Sequence, residues 1–306
     1  MPRHISLLFP GQGSQSIGML DAFTTTEKNN TLAISKDLFD FDLFEVASNG
    51  PEELLNKTSI TQPAILATSI IFYEKFLAIT NKKPDLCAGH SLGEYSALVA
   101  SESISLKKGL ELVNKRGNLM EACPKGSMFA ILNLDIKTIK EICLKVEKDT
   151  GDTVSPANIN SIKQVVIAGT DSAASIAAQQ CLSNGAKRAI KLNVSVASHC
   201  ELMRSASESL AKELTDYSFL TPTFPIIHNF DALIEHDPNA IPQKLISQLT
   251  SPVQWSKSME IIKKFDGIVV ECGPGKVLSG LAKANGLDNI LSMSSKTFKE
   301  DFKKII

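Results

Sequence analysis

The chain has 306 residues, 43% of them hydrophobic and 21% charged, enough apolar material for one large domain or a domain carrying an insertion. Its net charge of −1, with Lys and Arg dispersed, gives no basic field for nucleic acid or an anionic membrane, and neither is expected as a partner. No apolar run reaches the roughly 18 to 20 residues of a membrane span, and Pro10 and Gly11 cut short the apolar start of MPRHISLLFPGQG, so a cytoplasmic protein is expected.

In chain order, His4 to Phe9 reads as a short strand apolar enough to lie centrally in a parallel sheet, ending in a Pro-Gly turn. Helices are expected over Ile34–Ala47 and over Thr61–Ile79, where Gln62-Pro63 suits a helix start. DLCAGHS is a second strand, and LGEYSALVAS after it has helical composition. Strand, tight glycine turn and helix in succession indicate an α/β sheet with crossover helices.

From Ser127 the order changes to strand Ser127–Leu132, helix Ile136–Lys148, strand Val154–Ile159, strand Gln164–Gly169, helix Ser172–Asn184 and strand Ala186–Leu192. This is the βαββαβ order of a ferredoxin-like subdomain. The expected division is therefore a parallel-sheet core from 1–126 and 193–306, with residues 127–192 inserted. Helices at Glu201–Leu214, Ala240–Leu249 and Ser256–Phe265 follow, and a last buried strand lies in GIVVECGPG.

Six scattered cysteines without a C-x-x-C pair suggest reduced, buried thiols. Among five histidines no two have the i, i+4 spacing of a helical metal pair, and no metal is expected.

CAGHSLGEY, residues 87–95, places Ser91 between Gly89 and Gly93 where a strand gives way to a helix. G-x-S-x-G in that setting is a nucleophile elbow: a strained turn lifts the hydroxyl, and the glycines remove side chains that would collide with strand and helix. The N–H of Leu92 can then face a developing oxyanion. An ordinary N-cap serine is the alternative; the strand before and the helix after favour the nucleophile. His90 adjoins Ser91 in a tight turn, which directs the two side chains apart, so it is expected to pack beside the elbow. His228 and His236 lie in a loop-like segment with nothing evident to fix them. His199, where the chain returns from the insertion, is by itself either a helix-start residue or a base.

FPGQGSQ at 9–15, GHSLGEYSALVA at 89–100, KRG at 115–117, SVASHCELM at 195–203, SPVQW at 251–255 and ECGPGKVLSGL at 271–281 together resemble the malonyl-CoA:acyl carrier protein transacylases of bacterial type II fatty-acid synthesis. The resemblance runs through nearly the whole chain in order. It implies an α/β-hydrolase-like core with the active site in a cleft against the insertion, Ser91 as nucleophile and His199 as base. It also implies Gln12 and Leu92 as oxyanion donors, and Arg116 as the fork that holds the free malonyl carboxylate. Gln254 matches the residue whose backbone carbonyl orients the histidine. Asn158 and Asn160 are implied near the pantetheine arm, with turn-forming asparagines as the alternative. Arg116 without the resemblance reads as a solvated base continuing Lys115. Ser198 does not decide between malonyl and methylmalonyl.

The implied reaction is ping-pong transfer of malonyl from malonyl-CoA to the phosphopantetheine thiol of acyl carrier protein, by a monomer that binds no cofactor of its own. Between Ser91 and His199 the acids Asp135, Glu141, Glu147 and Asp152 fall on helices or insertion loops, and none stands out as a third catalytic member. A serine esterase would want such an acid and has no use for Arg116; a non-catalytic carrier-binding protein would need neither Ser91 nor His199.

Overall fold

A computed structural model describes residues 4–194 and 196–305; Ser195, the first residue of the 195–203 stretch, and residues 1–3 at the start of the expected core lie outside the described residues. The strands are β1 (Ile5–Phe9), β2 (Leu86–Gly89), β3 (Ser127–Leu132), β4 (Val154–Ser161), β5 (Gln164–Gly169), β6 (Arg188–Lys191), β7 (Ile226–Ile227), β8 (Ile234–Glu235), β9 (Ile268–Glu271) and β10 (Ile290–Ser292). The helices are α1 (Thr25–Ser35), α2 (Leu43–Asn49), α3 (Glu52–Leu55), α4 (Thr58–Thr80), α5 (Gly93–Ala100), α6 (Leu106–Glu121) and α7 (Ile136–Thr150), followed by α8 (Asp171–Ser183), α9 (Arg204–Glu213), α10 (Ile241–Thr250), α11 (Trp255–Lys264), α12 (Val277–Ala284) and α13 (Phe298–Ile305).

The main sheet has the order β10-β9-β1-β2-β7-β8, parallel except for β8, which runs against β7. All five residues of β1 are buried, as a central strand covered on both faces requires. Ile5, Leu7 and Phe9 pack on one side with Phe76 and Leu110, while Leu8 meets Leu86 and Trp255 on the other.

The second sheet has the antiparallel order β4-β5-β3-β6. One face is covered by α7 and α8 through Ile139, Val146 and Ala177. The other face, with Met128, Ala130 and Val166, packs on Ala197 and Cys200, which lie two residues before and one residue after His199. Residues 157–159 of β4 are also tied to the main body, because Val253 donates to Ala157 O and accepts from Ile159 N–H, both at 2.9 Å.

Three expectations fail in the N-terminal third. The helix expected over Ile34–Ala47 is two helices around a bend. Thr24 and Glu27 form a capping box for α1, and Asp42 accepts the N–H groups of Phe44 and Glu45 to start α2.

Pro63 lies inside α4, not at its start. A proline has no N–H to give the carbonyl four residues earlier, and Asn114 Nδ2 donates to that Ser59 oxygen instead, at 3.0 Å. With 23 residues, α4 is also long and apolar enough to cross a membrane, contrary to the expectation from the apolar runs; 67% of its most apolar window is buried inside the protein, as in a central core helix. GIVVECGPG does not hold the last strand either, since β10 pairs with β9 beyond it. All six cysteines are buried free thiols.

Candidate active site

Ser91 stands at the C-terminal end of β2 with φ of 52°, a left-handed conformation that costs a non-glycine residue energy and is held by its surroundings. The flanking glycines explain how the turn fits. A Cβ on Gly89 would lie 1.9 Å from the Gly93 carbonyl carbon, and one on Gly93 would lie 1.9 Å from Phe9 O. Asn229 clamps the same turn, accepting Ser91 N–H at its Oδ1 (2.6 Å) and donating Nδ2 to Gly89 O (2.6 Å).

His199 comes to Ser91 from 108 residues away: Ser91 Oγ and His199 Nε2 are 2.8 Å apart. The other ring nitrogen, Nδ1, is 2.7 Å from the backbone oxygen of Gln248. A carbonyl can only accept, so Nδ1 carries the hydrogen, Nε2 is bare, and the Ser91 hydroxyl donates to it. Burial, aided by the positive charge of Arg116, lowers the His199 pKa to about 3, which keeps the imidazole neutral and able to take a proton. His199 too has a positive φ, of 63°, imposed where the chain enters the short 3₁₀ turn Glu201–Met203.

The orienting carbonyl is therefore that of Gln248, in the last turn of α10, and not that of Gln254. Gln254 caps α11: its N–H donates to Asn229 O (2.9 Å), and its carbonyl accepts from the N–H and hydroxyl of Ser258. The two glutamines lie six residues apart on either side of a helix end, and spacing alone does not choose between them.

Arg116 is 1% exposed, contrary to the solvated reading. A Cβ on its neighbour Gly117 would sit 2.6 Å from Ser59 Cα, so α6 lies hard against α4 and carries the Arg116 side chain inward. There Nη1 donates to Gln62 Oε1 and Nη2 to Gln248 Oε1, both at 2.9 Å, and the guanidinium lies over the Tyr95 ring, 5.3 Å from its centroid. Arg116 Nη2 is 3.4 Å from Ser91 Oγ. The cation and the hydroxyl thus share one cavity of about 90 Å³, walled by Gln12, Leu92 and His199 on one side and by Met128 and Asn158 of the second sheet, with Leu192 just past β6, on the other.

A second cavity of about 190 Å³ adjoins it through the shared walls Gln12, His90, Asn158 and Leu192. His90 packs edge-on against Trp255 and donates Nε2–H to Asn160 Oδ1 at 2.9 Å. Asn160 is not a turn residue but a β4 residue whose carbonyl accepts from Asn285 (2.8 Å); Asn158 is in β4 as well, with its buried Oδ1 unpartnered among the described residues. Gln12 Nε2 reaches Thr58 Oγ1 at 3.3 Å.

Sequence reasoning missed Gln62, Glu94, His228, Asn229 and Gln248. His228, read as unfixed, is fully buried, with Nδ1 2.6 Å from Glu94 Oε1. Glu94 is itself fully buried, and Oε2 accepts Asn229 N–H (3.1 Å) and Gln248 Nε2 (2.7 Å). A carboxylate three residues past the serine, inside an otherwise apolar helix, was the signal available for it.

The acyl transferase domain family matches residues 7–288. A malonyl CoA-acyl carrier protein transacylase of Salmonella typhimurium is 45% identical over 285 residues, 91% of each chain. Among solved structures, the malonyl CoA-acyl carrier protein transacylase of Coxiella burnetii superposes with a TM-score of 0.93 at 35% identity, over 100% of this chain and 98% of that one. A malonyl-transacylase solved in complex with its type II PKS acyl-carrier protein gives 0.89 at 43% identity over 94% of both. The elbow serine, its distant histidine and the buried arginine thus sit in a chain that belongs to the acyl transferase family, among the malonyl CoA-acyl carrier protein transacylases.

Proposed function

We propose that this protein moves a malonyl group from malonyl-CoA to the phosphopantetheine thiol of acyl carrier protein, in fatty-acid synthesis, through a malonyl ester on Ser91. The observation that carries the reading is the placement of a buried guanidinium 3.4 Å from a serine hydroxyl that is itself 2.8 Å from a bare imidazole nitrogen. Nucleophile and base alone serve any acyl ester; a desolvated cation beside them selects an acyl group that ends in a carboxylate.

The malonyl carboxylate pairs with Arg116 as the thioester carbonyl approaches Ser91. The Ser91 oxygen attacks that carbon while its proton passes to His199 Nε2, and the tetrahedral oxyanion is met by the backbone N–H groups of Leu92 and Gln12. The C–S bond breaks, the proton goes from His199 to the departing CoA sulfur, and malonyl-Ser91 remains. The carrier thiol then gives its proton to His199, attacks the ester, and leaves as malonyl thioester while Ser91 recovers the proton. No resident cofactor takes part, because the carrier brings its own phosphopantetheine. The adjoining cavity offers that arm a route past His90, with Asn158 Oδ1, unpartnered among the described residues, as an acceptor for its amide; Asn160 holds His90 in place.

The strand orders support reading the main sheet as an α/β-hydrolase-like core and residues 127–192 as a ferredoxin-like insertion whose inner face shapes the cleft. Six free thiols accord with the reducing cytoplasm.

The test is transfer of isotopically labelled malonyl from malonyl-CoA to carrier protein. The reading predicts label on phosphopantetheinylated carrier and none on carrier lacking the arm, with Ser91→Ala and His199→Ala inactive. Release of free malonate at the same rate, with no label on the carrier, would make the protein a hydrolase and end the proposal.

A further inference from the structure

The dyad has no acid on His199 Nδ1, yet a fully buried carboxylate lies one residue behind it. We propose that Glu94 is the charged positioning residue of this site, acting through Gln248 on both His199 and Arg116. The proposal rests on the reading of Ser91 and His199 given above.

Gln248 is the junction. Its backbone oxygen accepts His199 Nδ1–H, its Oε1 accepts from Arg116, and its Nε2 donates to Glu94 Oε2 at 2.7 Å and to Ser91 O at 3.0 Å. The side-chain amide is therefore held between a buried cation and a buried anion, with its dipole aligned to both. This polarised bridge fixes the residue whose carbonyl orients the base. The same carboxylate holds Asn229 N–H, and Asn229 clamps the Ser91 turn, so one charge anchors the supports of nucleophile and base together.

Both oxygens of Glu94 sit opposite donors, as those of an ionised carboxylate do. His228 gives it one hydrogen from Nδ1, while His228 Nε2 has no partner among the described residues. A neutral imidazole leaves there only an empty acceptor, whereas an imidazolium would leave a buried N–H unsatisfied. Arg116 likewise has no carboxylate in direct contact among the described residues, and the lowering of its pKa by burial is countered by Tyr95 and, after it, by Glu94. The negative charge thus balances Arg116 before substrate arrives and stabilises the positive charge that develops on His199 during attack.

A glutamine can fill the same space: its oxygen accepts from Asn229 and Gln248, and its amide donates to the other tautomer of His228. Glu94→Gln therefore removes charge and keeps these connections, at the cost of a buried His228 Nε2–H that has no partner among the described residues. Two quantities are read in single-turnover malonylation of the intact enzyme, followed by rapid quench and intact mass: the acylation rate constant and the Kd for malonyl-CoA. A charge role predicts an acylation rate at least about tenfold slower. It also predicts a Kd no weaker than that of wild type, because Arg116 has lost a competing anion. Glu94→Asp, which keeps the charge, should retain most of the rate. An unchanged rate in Glu94→Gln, or rate and affinity weakened together in both variants, would overturn the proposal. Should Glu94→Gln fail to fold, Glu94→Asp is compared with Glu94→Asn, equal in length and different in charge: a charge role predicts acylation at least about tenfold slower in Glu94→Asn than in Glu94→Asp, and equal rates would overturn it. Wild-type enzyme that takes no label on Ser91 would strike the underlying reading, whereas labelled wild type with an unaffected Glu94→Gln strikes only the role of Glu94.

Discussion

Replacing Arg116 by alanine separates substrate selection from acyl-transfer chemistry. The guanidinium is 1% exposed and fixed by Gln62, Gln248 and the Tyr95 ring, so a carboxylate that meets it does so in a dry, pre-aligned setting. Truncating one partner of a buried, hydrogen-bonded charge pair costs about 2–5 kcal/mol. A loss of about 3 kcal/mol is a fall of roughly 10² in kcat/KM for malonyl-CoA. Acetyl-CoA carries no carboxylate and forfeits nothing at this position, so its kcat/KM should hold or rise. Arg116→Lys keeps the charge but not the fork, and should fall between wild type and alanine on malonyl-CoA. The assay is transfer to carrier protein from each thioester, with a thermal melt to confirm folding. Equal losses on malonyl-CoA and acetyl-CoA in a folded Arg116→Ala would refute the assignment, because they would make Arg116 a general support of Ser91.

Acid should destabilise the protein through His199. With a folded pKa of about 3 against 6.5, the unfolded chain takes up a proton that the folded one refuses, so stability is lost as pH falls from 6.5 toward 3. At pH 4.5 the loss from this group is about 2–3 kcal/mol; His90, lowered by burial, adds to it. Urea unfolding of wild type and His199→Gln at pH 7 and pH 4.5 checks this, and an identical pH dependence in both would contradict it. Gly93→Ala should cost about 3 kcal/mol or more, because its Cβ would meet Phe9 O at 1.9 Å. Gly280→Ala, in α12 with nothing within 4 Å of the added atom, should gain up to about 1 kcal/mol in melts run side by side. Asn114→Ala should cost about 1–3 kcal/mol by leaving Ser59 O unpaired. That cost should shrink in a Pro63→Ala background, where residue 63 regains an N–H; an unchanged cost in the double-mutant cycle would refute the substitution of one donor for the other.

The parts of the fold legible in the sequence were those with a period to read. β3 and β5 begin and end where their hydrophobic patterns do, and α7 and α8 lie within one or two residues of expectation. β7 and β8 have two residues each and β10 three, too few for any periodicity, and β7 is held by β2, about 140 residues earlier in the chain. The stretch Ile34–Ala47 holds the end of α1 and the start of α2, and the boundary between them is set by the cap at Asp42 and not by any break in composition.

At the site the same division holds. The strained turn at Ser91 follows from glycines two residues away on either side, and the close contacts of Gly89 with Gly93 and of Gly93 with Phe9 give the reason. Which carbonyl meets His199 depends on how α10 ends against the elbow, and nothing local to Gln248 or Gln254 encodes that. The burial of Arg116 is likewise a matter of α4 and α6 meeting at Gly117, and the pairing of Glu94 with His228 spans 134 residues.

The most direct test of the account is the mass of the protein and of its Ser91 peptide after brief exposure to malonyl-CoA. The account predicts one malonyl adduct located on Ser91, absent from Ser91→Ala, and discharged by phosphopantetheinylated carrier protein faster than by water. An adduct on another residue, or one that water removes as fast as the carrier does, would contradict it.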